Sequence, residues 1–359
     1  MKEDNEERIF KEVPNGKVGW KSPSNIALVK YWGKKPGQVP ANASLSFTLR
    51  ESVTETTIEF EPASGEGFKL EFFLDGMKNE KFADKTVKYF ESISNSFPFI
   101  KQLDFKIRSK NSFPHSAGIA SSASGMSALA LCLCEIERKY FDEFSSDEKF
   151  FKRASYFARL GSGSACRSVY GGFVSWGEIE GVRNTSNMFG NKINKNIDSV
   201  FDTFQDSILI VDAGEKEVSS SLGHSLMNSN PYSLGRLKQA GENMIKLMEV
   251  IKTGDLGGFV KIVESEALSL HAMMMTSNPY FLLMKPNTIS IIEKVREYRG
   301  ETGIQACFTL DAGPNVHLIY PDENKKEVRD FIGSELLKLT VNETVIHDEV
   351  GQGPERIAY

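Results

Sequence analysis

Residues 112–130 read S-F-P-H-S-A-G-I-A-S-S-A-S-G-M-S-A-L-A. Small residues fill the run from Ser116 to Gly125 and pass directly into a helical pattern, so backbone amides can approach a ligand closely before the helix begins. Met126, Leu129, Leu133, Ile136 and Tyr140 recur at spacings of three and four, which predicts a helix with one buried face. The loop thus opens onto a helix N-terminus, where unpaired N–H groups and the dipole favour an anion by about 0.3–1 kcal/mol even when exposed. Small residues also serve tight helix packing, and the loop by itself leaves both readings open.

The 359-residue chain exceeds the length at which one core stops growing, about 250–300 residues, so two lobes are expected. Its 43 basic and 48 acidic residues give a net charge of −5 with no dense basic run, which argues against nucleic acid as a partner. An anionic ligand must then be held locally. The opening M-K-E-D-N-E-E-R lacks the apolar centre of a signal peptide, and no stretch of about 18 apolar residues offers a membrane span. A cytosolic protein without membrane attachment is expected. Cys132, Cys134, Cys166 and Cys307 lie among apolar or small neighbours without metal-ligand spacing, which predicts reduced, packed thiols.

Residues 1–19 read as a polar arm, 20–200 as a first lobe and 201–359 as a second. In the first, 21–31 is an apolar strand carrying a lysine at its end, 54–60 and 103–109 alternate as half-buried strands, and 81–93 reads as a short helix. Ser145-Ser146-Asp147-Glu148 signals another helix start, 173–176 a strand, and the polar, Asn-rich 181–200 a link between lobes. In the second, 207–212, 305–310 and 316–320 read as strands, 233–252, 255–275 and 287–299 as helices. The fold class is α+β.

Three places carry chemistry. Lys30-Tyr31-Trp32-Gly33-Lys34 brackets a glycine with two cations and a phenol, groups suited to phosphate oxygens, although a packed Trp32 with both lysines in water is the plainer alternative. The loop Gly161 to Gly172 holds Ser162, Ser164 and Arg167, whose fork matches a carboxylate, where a flexible G-S-G-S turn is the alternative. Asp311 ends a strand before a Gly-Pro turn, rigid enough for a general base, or else capping its own loop as an Asx-turn. No Walker A or dinucleotide fingerprint is present.

The run Pro114 to Ala123 resembles the phosphate-binding motif of the GHMP kinases, the superfamily of galactokinase, homoserine kinase, mevalonate kinase and phosphomevalonate kinase. Within it, N-I-A-L-V-K-Y-W-G-K at 25–34, N-A-S-L-S-F-T-L at 42–49, A-S-S-A-S-G at 120–125, G-S-G-S-A-C-R-S-V-Y-G-G-F-V at 161–174 and F-T-L-D-A-G-P-N at 308–315 resemble the diphosphomevalonate decarboxylase family. The resemblance implies the two-lobed GHMP kinase fold, with a ribosomal-protein-S5-like N-terminal lobe and a ferredoxin-like α/β sandwich as the C-terminal lobe. It implies ATP-dependent phosphorylation of the 3-hydroxyl of mevalonate 5-diphosphate, then loss of phosphate and carbon dioxide to give isopentenyl diphosphate, with ATP and Mg2+ required and a homodimer as the assembly.

On that resemblance Asp311 accepts the hydroxyl proton, Lys30 orients it, and Arg167 clamps the substrate carboxylate. Pro114, Gly118, Ala120, Ser121, Ser122 and Ser124 bind the nucleotide, with Ser122 also facing the magnesium ion. Ser162, Gly163 and Ser164 fix the substrate beside Ala27 and Trp32. Tyr31, Lys34, Lys85, Ser220 and His224 serve its 5-diphosphate. Ser221 stands where some bacterial members carry arginine and His224 where methionine is usual, which leaves one or two phosphates open. The alternatives are a mevalonate 5-phosphate decarboxylase, a mevalonate 3-kinase, or a non-catalytic nucleotide- or metabolite-binding regulator.

Overall fold

The structure, a computed structural model, describes residues 8–114, 119–193, 197–214 and 220–359. Its first half runs β1 (Gly16–Val29), β2 (Lys34–Lys35), β3 (Val39–Pro40), β4 (Ser44–Pro62), β5 (Leu70–Leu74), β6 (Met77–Lys78), α1 (Glu80–Ile93), β7 (Leu103–Asn111), α2 (Ser121–Phe141), α3 (Asp147–Gly161), β8 (Phe173–Gly177) and β9 (Ser186–Lys192). The second half runs β10 (Gln205–Leu209), α4 (Ser220–Leu226), α5 (Ser233–Thr253), α6 (Leu256–Met275), α7 (Pro286–Thr302), β11 (Cys307–Leu310), β12 (Val316–Tyr320), α8 (Lys325–Phe331), β13 (Val345–Glu349) and β14 (Glu355–Arg356). This is the α+β class expected.

An eight-stranded sheet has the order β14-β1-β4-β7-β5-β6, with β8 on the early part of β4 and β9 on β8. Thr54 to Phe60 in β4 and Leu103 to Ser109 in β7 alternate inward and outward, the period read from the sequence. The second sheet, β11-β12-β10-β13, is antiparallel throughout. Ile26, Leu28 and Phe47 of the first sheet share one core with Phe204 and Ile208 beside the second and with Met244 and Phe259 of α5 and α6. The end of β1 therefore points into the junction of the two sheets.

The helix after the small-residue loop is α2, and it is more deeply buried than its stripe suggests. Every residue from Ser127 to Glu137 is buried, because β1 and β4 pack on one side and α3 on another. Ser146 caps α3 as the sequence indicates, accepting from the Lys149 N–H. All four cysteines are free and buried. No helix among the described residues is long and apolar enough to cross a membrane.

Three expectations need correction. The arm is packed from Arg8 onward, where Phe10 meets Phe99, Tyr140 and Phe141, and β1 already begins at Gly16. The stretch expected as a link contains β9, an edge strand whose one-sided pairing tolerates a polar, Asn-rich sequence. The strand expected over 207–212 stops at Leu209, and the Val211 and Asp212 N–H groups donate instead to the Asn315 carboxamide. The chain then returns at its end, where β14 pairs with β1 through Trp20 and Arg356.

Behind α2, Arg153 donates two 2.7 Å hydrogen bonds to the fully buried Glu137, and Arg8 stands 3.6 Å away on the same carboxylate. Replacing Glu137 by leucine removes the carboxylate that Arg153 grips with two hydrogen bonds, while Arg8 keeps Glu143, so urea unfolding should show a loss of about 3–5 kcal/mol.

Candidate functional site

β1 ends at Val29, and Lys30 is the first residue to leave the sheet. Its side chain is 2 % exposed, and its ammonium lies 3.1 Å from an Asp311 carboxylate oxygen. Asp311 follows β11 at the start of the turn to β12, and its side chain is 25 % exposed, so the carboxylate is partly accessible. Burial lowers the Lys30 pKa from its ordinary value, while the charges of Asp311 and Glu266 oppose that fall. The main chain is pinned as well. The Lys30 N–H donates to Glu266 at 2.9 Å, and its carbonyl accepts from the Asn42 carboxamide at 2.9 Å. On the other side the Asp311 carbonyl lies 3.1 Å from His271 Nε2.

Arg167 follows the short turn Gly163–Cys166 after α3 and is buried against β1 and β4. Its fork donates to Ser44 Oγ at 2.5 Å, Ser46 Oγ at 2.9 Å and the Asn25 carboxamide oxygen at 3.2 Å. All of these acceptors are neutral, and no carboxylate pairs with it among the described residues. Burial therefore lowers its pKa, and the nearby negative charge of Asp311 offsets only part of the effect. A buried guanidinium held in place but not neutralised is a receptor for a carboxylate.

Next to it the Tyr31 hydroxyl is buried without a hydrogen-bond partner among the described residues. A Cβ at Gly163 would fall 2.8 Å from that hydroxyl and 2.8 Å from Trp176, so glycine is required for the approach. Tyr31 and Trp32 flank His224 with ring centroids at 4.2 and 4.7 Å. The Gly33 N–H donates to His224 Nδ1 at 3.0 Å, so the neutral ring carries its proton on Nε2. Burial, and then the charge of Lys34, lower the His224 pKa to about 3. Lys34 itself is half-buried and makes no salt bridge among the described residues, and desolvation lowers its pKa too.

At the start of α2, Ala120 has φ 43° and supplies no side-chain cap, and no side chain among the described residues claims the first-turn amides. Ser122 is exposed and Ser121 half-buried, while Pro114 is exposed at the near edge of the loop. Gly118 lies outside the described residues. Ser124 departs from expectation, because it sits on the inner side of the first turn, fully buried, with its hydroxyl 2.6 Å from Thr54 Oγ1. The loop joins the other groups through Ser24, whose hydroxyl donates to the Ile119 carbonyl, and through Asn25, which touches Arg167.

Ala27 is buried in β1 opposite Ser46, and Ser162 and Ser164 are half-buried on the turn before Arg167. Ser220 begins α4. Lys85 is not brought to this cluster by any described contact. It is exposed on α1, with its ammonium 5.5 Å from the Phe82 ring centre, and α1 packs on β5 and α3. Sequence reading missed Asn25, Asn42, Ser44, Ser46, Glu266 and His271. The first four stand inside motifs already quoted, and the last two are polar residues buried in the apolar helix α6, a signal visible in the sequence.

His224 and His271 have folded-state pKa values of about 3 and about 4, both lowered chiefly by burial. Their values lie below those of the unfolded chain, so unfolding takes up protons as pH falls. Stability is full above the ordinary histidine range and is lost toward these values, by up to about 1.4 kcal/mol per pH unit for each group. Urea unfolding between pH 7 and pH 5 should show that slope, and His224→Gln should reduce it by one proton.

Residues 22–188 match the family model for the diphosphomevalonate decarboxylase-like N-terminal domain, and residues 207–353 match that for the mevalonate 5-diphosphate decarboxylase C-terminal domain. The chain is 31% identical to the diphosphomevalonate decarboxylase of Ganoderma lucidum, over 87% of this chain and 80% of that one. It is 29% identical to that of Debaryomyces hansenii, over 93% of each. The solved mevalonate diphosphate decarboxylase of Enterococcus faecalis aligns with a TM-score of 0.81 at 29% identity, covering 96% of this chain and 100% of that one. The Staphylococcus aureus enzyme aligns with a TM-score of 0.81 at 29% identity, covering 97% and 99%. The fold is thus the two-lobed GHMP kinase fold. With both halves matched in order and the relatives covered over most of their length, this chain belongs to the diphosphomevalonate decarboxylase family.

Proposed function

We propose that this protein catalyses the ATP-dependent decarboxylation of mevalonate 5-diphosphate to isopentenyl diphosphate, ADP, phosphate and carbon dioxide. The observation that carries this reading is the Lys30–Asp311 contact of 3.1 Å, a partly exposed carboxylate held against a buried cation. A solved relative, TM-score 0.82 at 30% identity, is in complex with MVAPP, AMPPCP and magnesium.

Asp311 takes the proton of the 3-hydroxyl as that oxygen bonds to the γ-phosphorus and the bond to ADP breaks. Lys30 keeps the carboxylate oriented and offsets negative charge gathering beside it. The C3–O bond then breaks to release phosphate, and the bond to the substrate carboxylate breaks with its electron pair becoming the new double bond. Carbon dioxide leaves uncharged, so Arg167 acts chiefly by holding the carboxylate in place beforehand. Ser162 and Ser164 fix the substrate beside it. Tyr31, Lys34 and the His224 Nε2–H face the 5-diphosphate, with Tyr31 supplying a buried hydroxyl that has no partner among the described residues.

The exposed Ser122 and the uncapped amides of α2 suit the triphosphate. Among the described residues no trio of His, Cys, Asp or Glu is gathered for a metal, which fits an ion carried on phosphate oxygens with Ser122 as the protein's ligand. Magnesium there would neutralise phosphate charge. The reading also takes 20–200 as the ATP-binding lobe, 201–359 as the second lobe, and a cytoplasmic homodimer as the working form. Sedimentation at micromolar concentration reads the last point, and a monomer overturns it.

Supplied with ATP and, in turn, mevalonate, its 5-phosphate and its 5-diphosphate, the protein should release carbon dioxide fastest from the diphosphate. ATP consumption without carbon dioxide would mark a 3-kinase instead. Asp311→Asn should lower kcat about 10²–10⁴-fold while binding substrate and nucleotide, and unchanged turnover would remove Asp311 as the base.

A further inference from the structure

We propose that helix α6 sets the separation of Lys30 and Asp311, with Glu266 and His271 as positioning residues that each hold the main chain of one partner. This rests on the reading of Asp311 as the base. Both side chains are buried on one helix, with Glu266 fully enclosed. Glu266 Oε2 accepts from the Lys30 N–H at 2.9 Å, at the point where β1 pairing has stopped. The carboxylate is itself fixed from α5, by Arg236 Nη1 at 2.9 Å and the Asn243 carboxamide at 2.7 Å.

Five residues further along α6, His271 Nε2 lies 3.1 Å from the Asp311 carbonyl. The ring is neutral in the folded chain, and a carbonyl partner requires the proton on Nε2. Five residues of helix span about 7.5 Å of axis, a spacing that hydrogen bonds inside the helix keep rigid. One rigid element thus grips both partners through their peptide groups rather than through the ammonium and the carboxylate. Asp311 comes from the same half of the chain as α6, whereas Lys30 comes from the other sheet, so Glu266 is the grip that crosses the junction.

A purely stabilising role makes a different prediction. A buried ion pair is often replaceable by apolar residues of similar volume without loss of stability. Replacing Glu266 and Arg236 together by methionine keeps the packing but removes the acceptor for the Lys30 N–H. His271→Leu removes the donor to Asp311, and His271→Gln keeps an N–H near the same place.

The experiment measures kcat and KM with ATP and mevalonate 5-diphosphate, normalised to folded protein, together with crystal structures of the variants. The expected result for Glu266→Met/Arg236→Met and for His271→Leu is a kcat lower by about tenfold to a hundredfold, with both KM values within about twofold. His271→Gln should restore most of the loss, and the crystals should show the Lys30–Asp311 contact beyond hydrogen-bond reach in the slow variants. Turnover within twofold of wild type, failure of His271→Gln to restore it, or an unaltered contact in the crystals overturns the proposal. Absence of carbon dioxide release from the wild-type protein would instead overturn the assigned reaction, while the crystal distances still decide the role of α6.

Discussion

A lysine ammonium shut away from water is the constraint on which this molecule turns. Lys30 leaves a strand of one sheet and finds Asp311 at the end of a strand in the other. Taking such a charge out of water costs several kcal/mol unless an opposite charge and hydrogen bonds meet it. The two sheets must therefore come together with the end of β1 facing the turn between β11 and β12. The shared core of Leu28, Phe47, Ile208 and Phe259 brings them there. Apolar burial supplies the force, and the ion pair supplies the alignment.

Around that pair the site keeps positive charge uncompensated. Arg167 is oriented by two serines and an asparagine, none of which carries charge, and Lys34 has no acidic partner among the described residues. An internal carboxylate would have stabilised either cation and competed with a ligand. Neutral acceptors hold the geometry and leave the charge available, which favours function over stability. The unpartnered Tyr31 hydroxyl belongs to the same pattern. His224 differs, since burial between two rings keeps it uncharged and limits it to one N–H donor.

The start of α2 is built by other means. The amides of the first turn of α2 are left uncapped by side chains because Ala120, in a left-handed conformation, offers none. Ser124, which the motif suggested for the same task, faces the sheet and ties α2 to β4 through Thr54. Of the three serines expected there, Ser122 is exposed, Ser121 is half-buried, and Ser124 anchors the helix that carries them. Helical geometry separates Ser122 from Ser124, since residues two apart point to nearly opposite sides of a helix.

Sequence alone determined the local parts. Small residues before a helical stripe, a lysine ending an apolar strand, and a carboxylate before Gly-Pro each report turn chemistry or burial within a few residues, and each element formed where that chemistry required. It also carried the family, because five ordered motifs preserve the same local devices. Only the tertiary structure decided which groups meet. The Lys30–Asp311 contact spans 281 positions, and the hold of Glu266 on Lys30 spans 236. No periodicity encodes such pairs. Lys85 satisfied the expected chemistry but stands on another helix, while Glu266 and His271 looked like misplaced polar residues until the fold supplied their partners. A side chain's identity sets what it can bond, and the packing of distant segments sets what stands within reach.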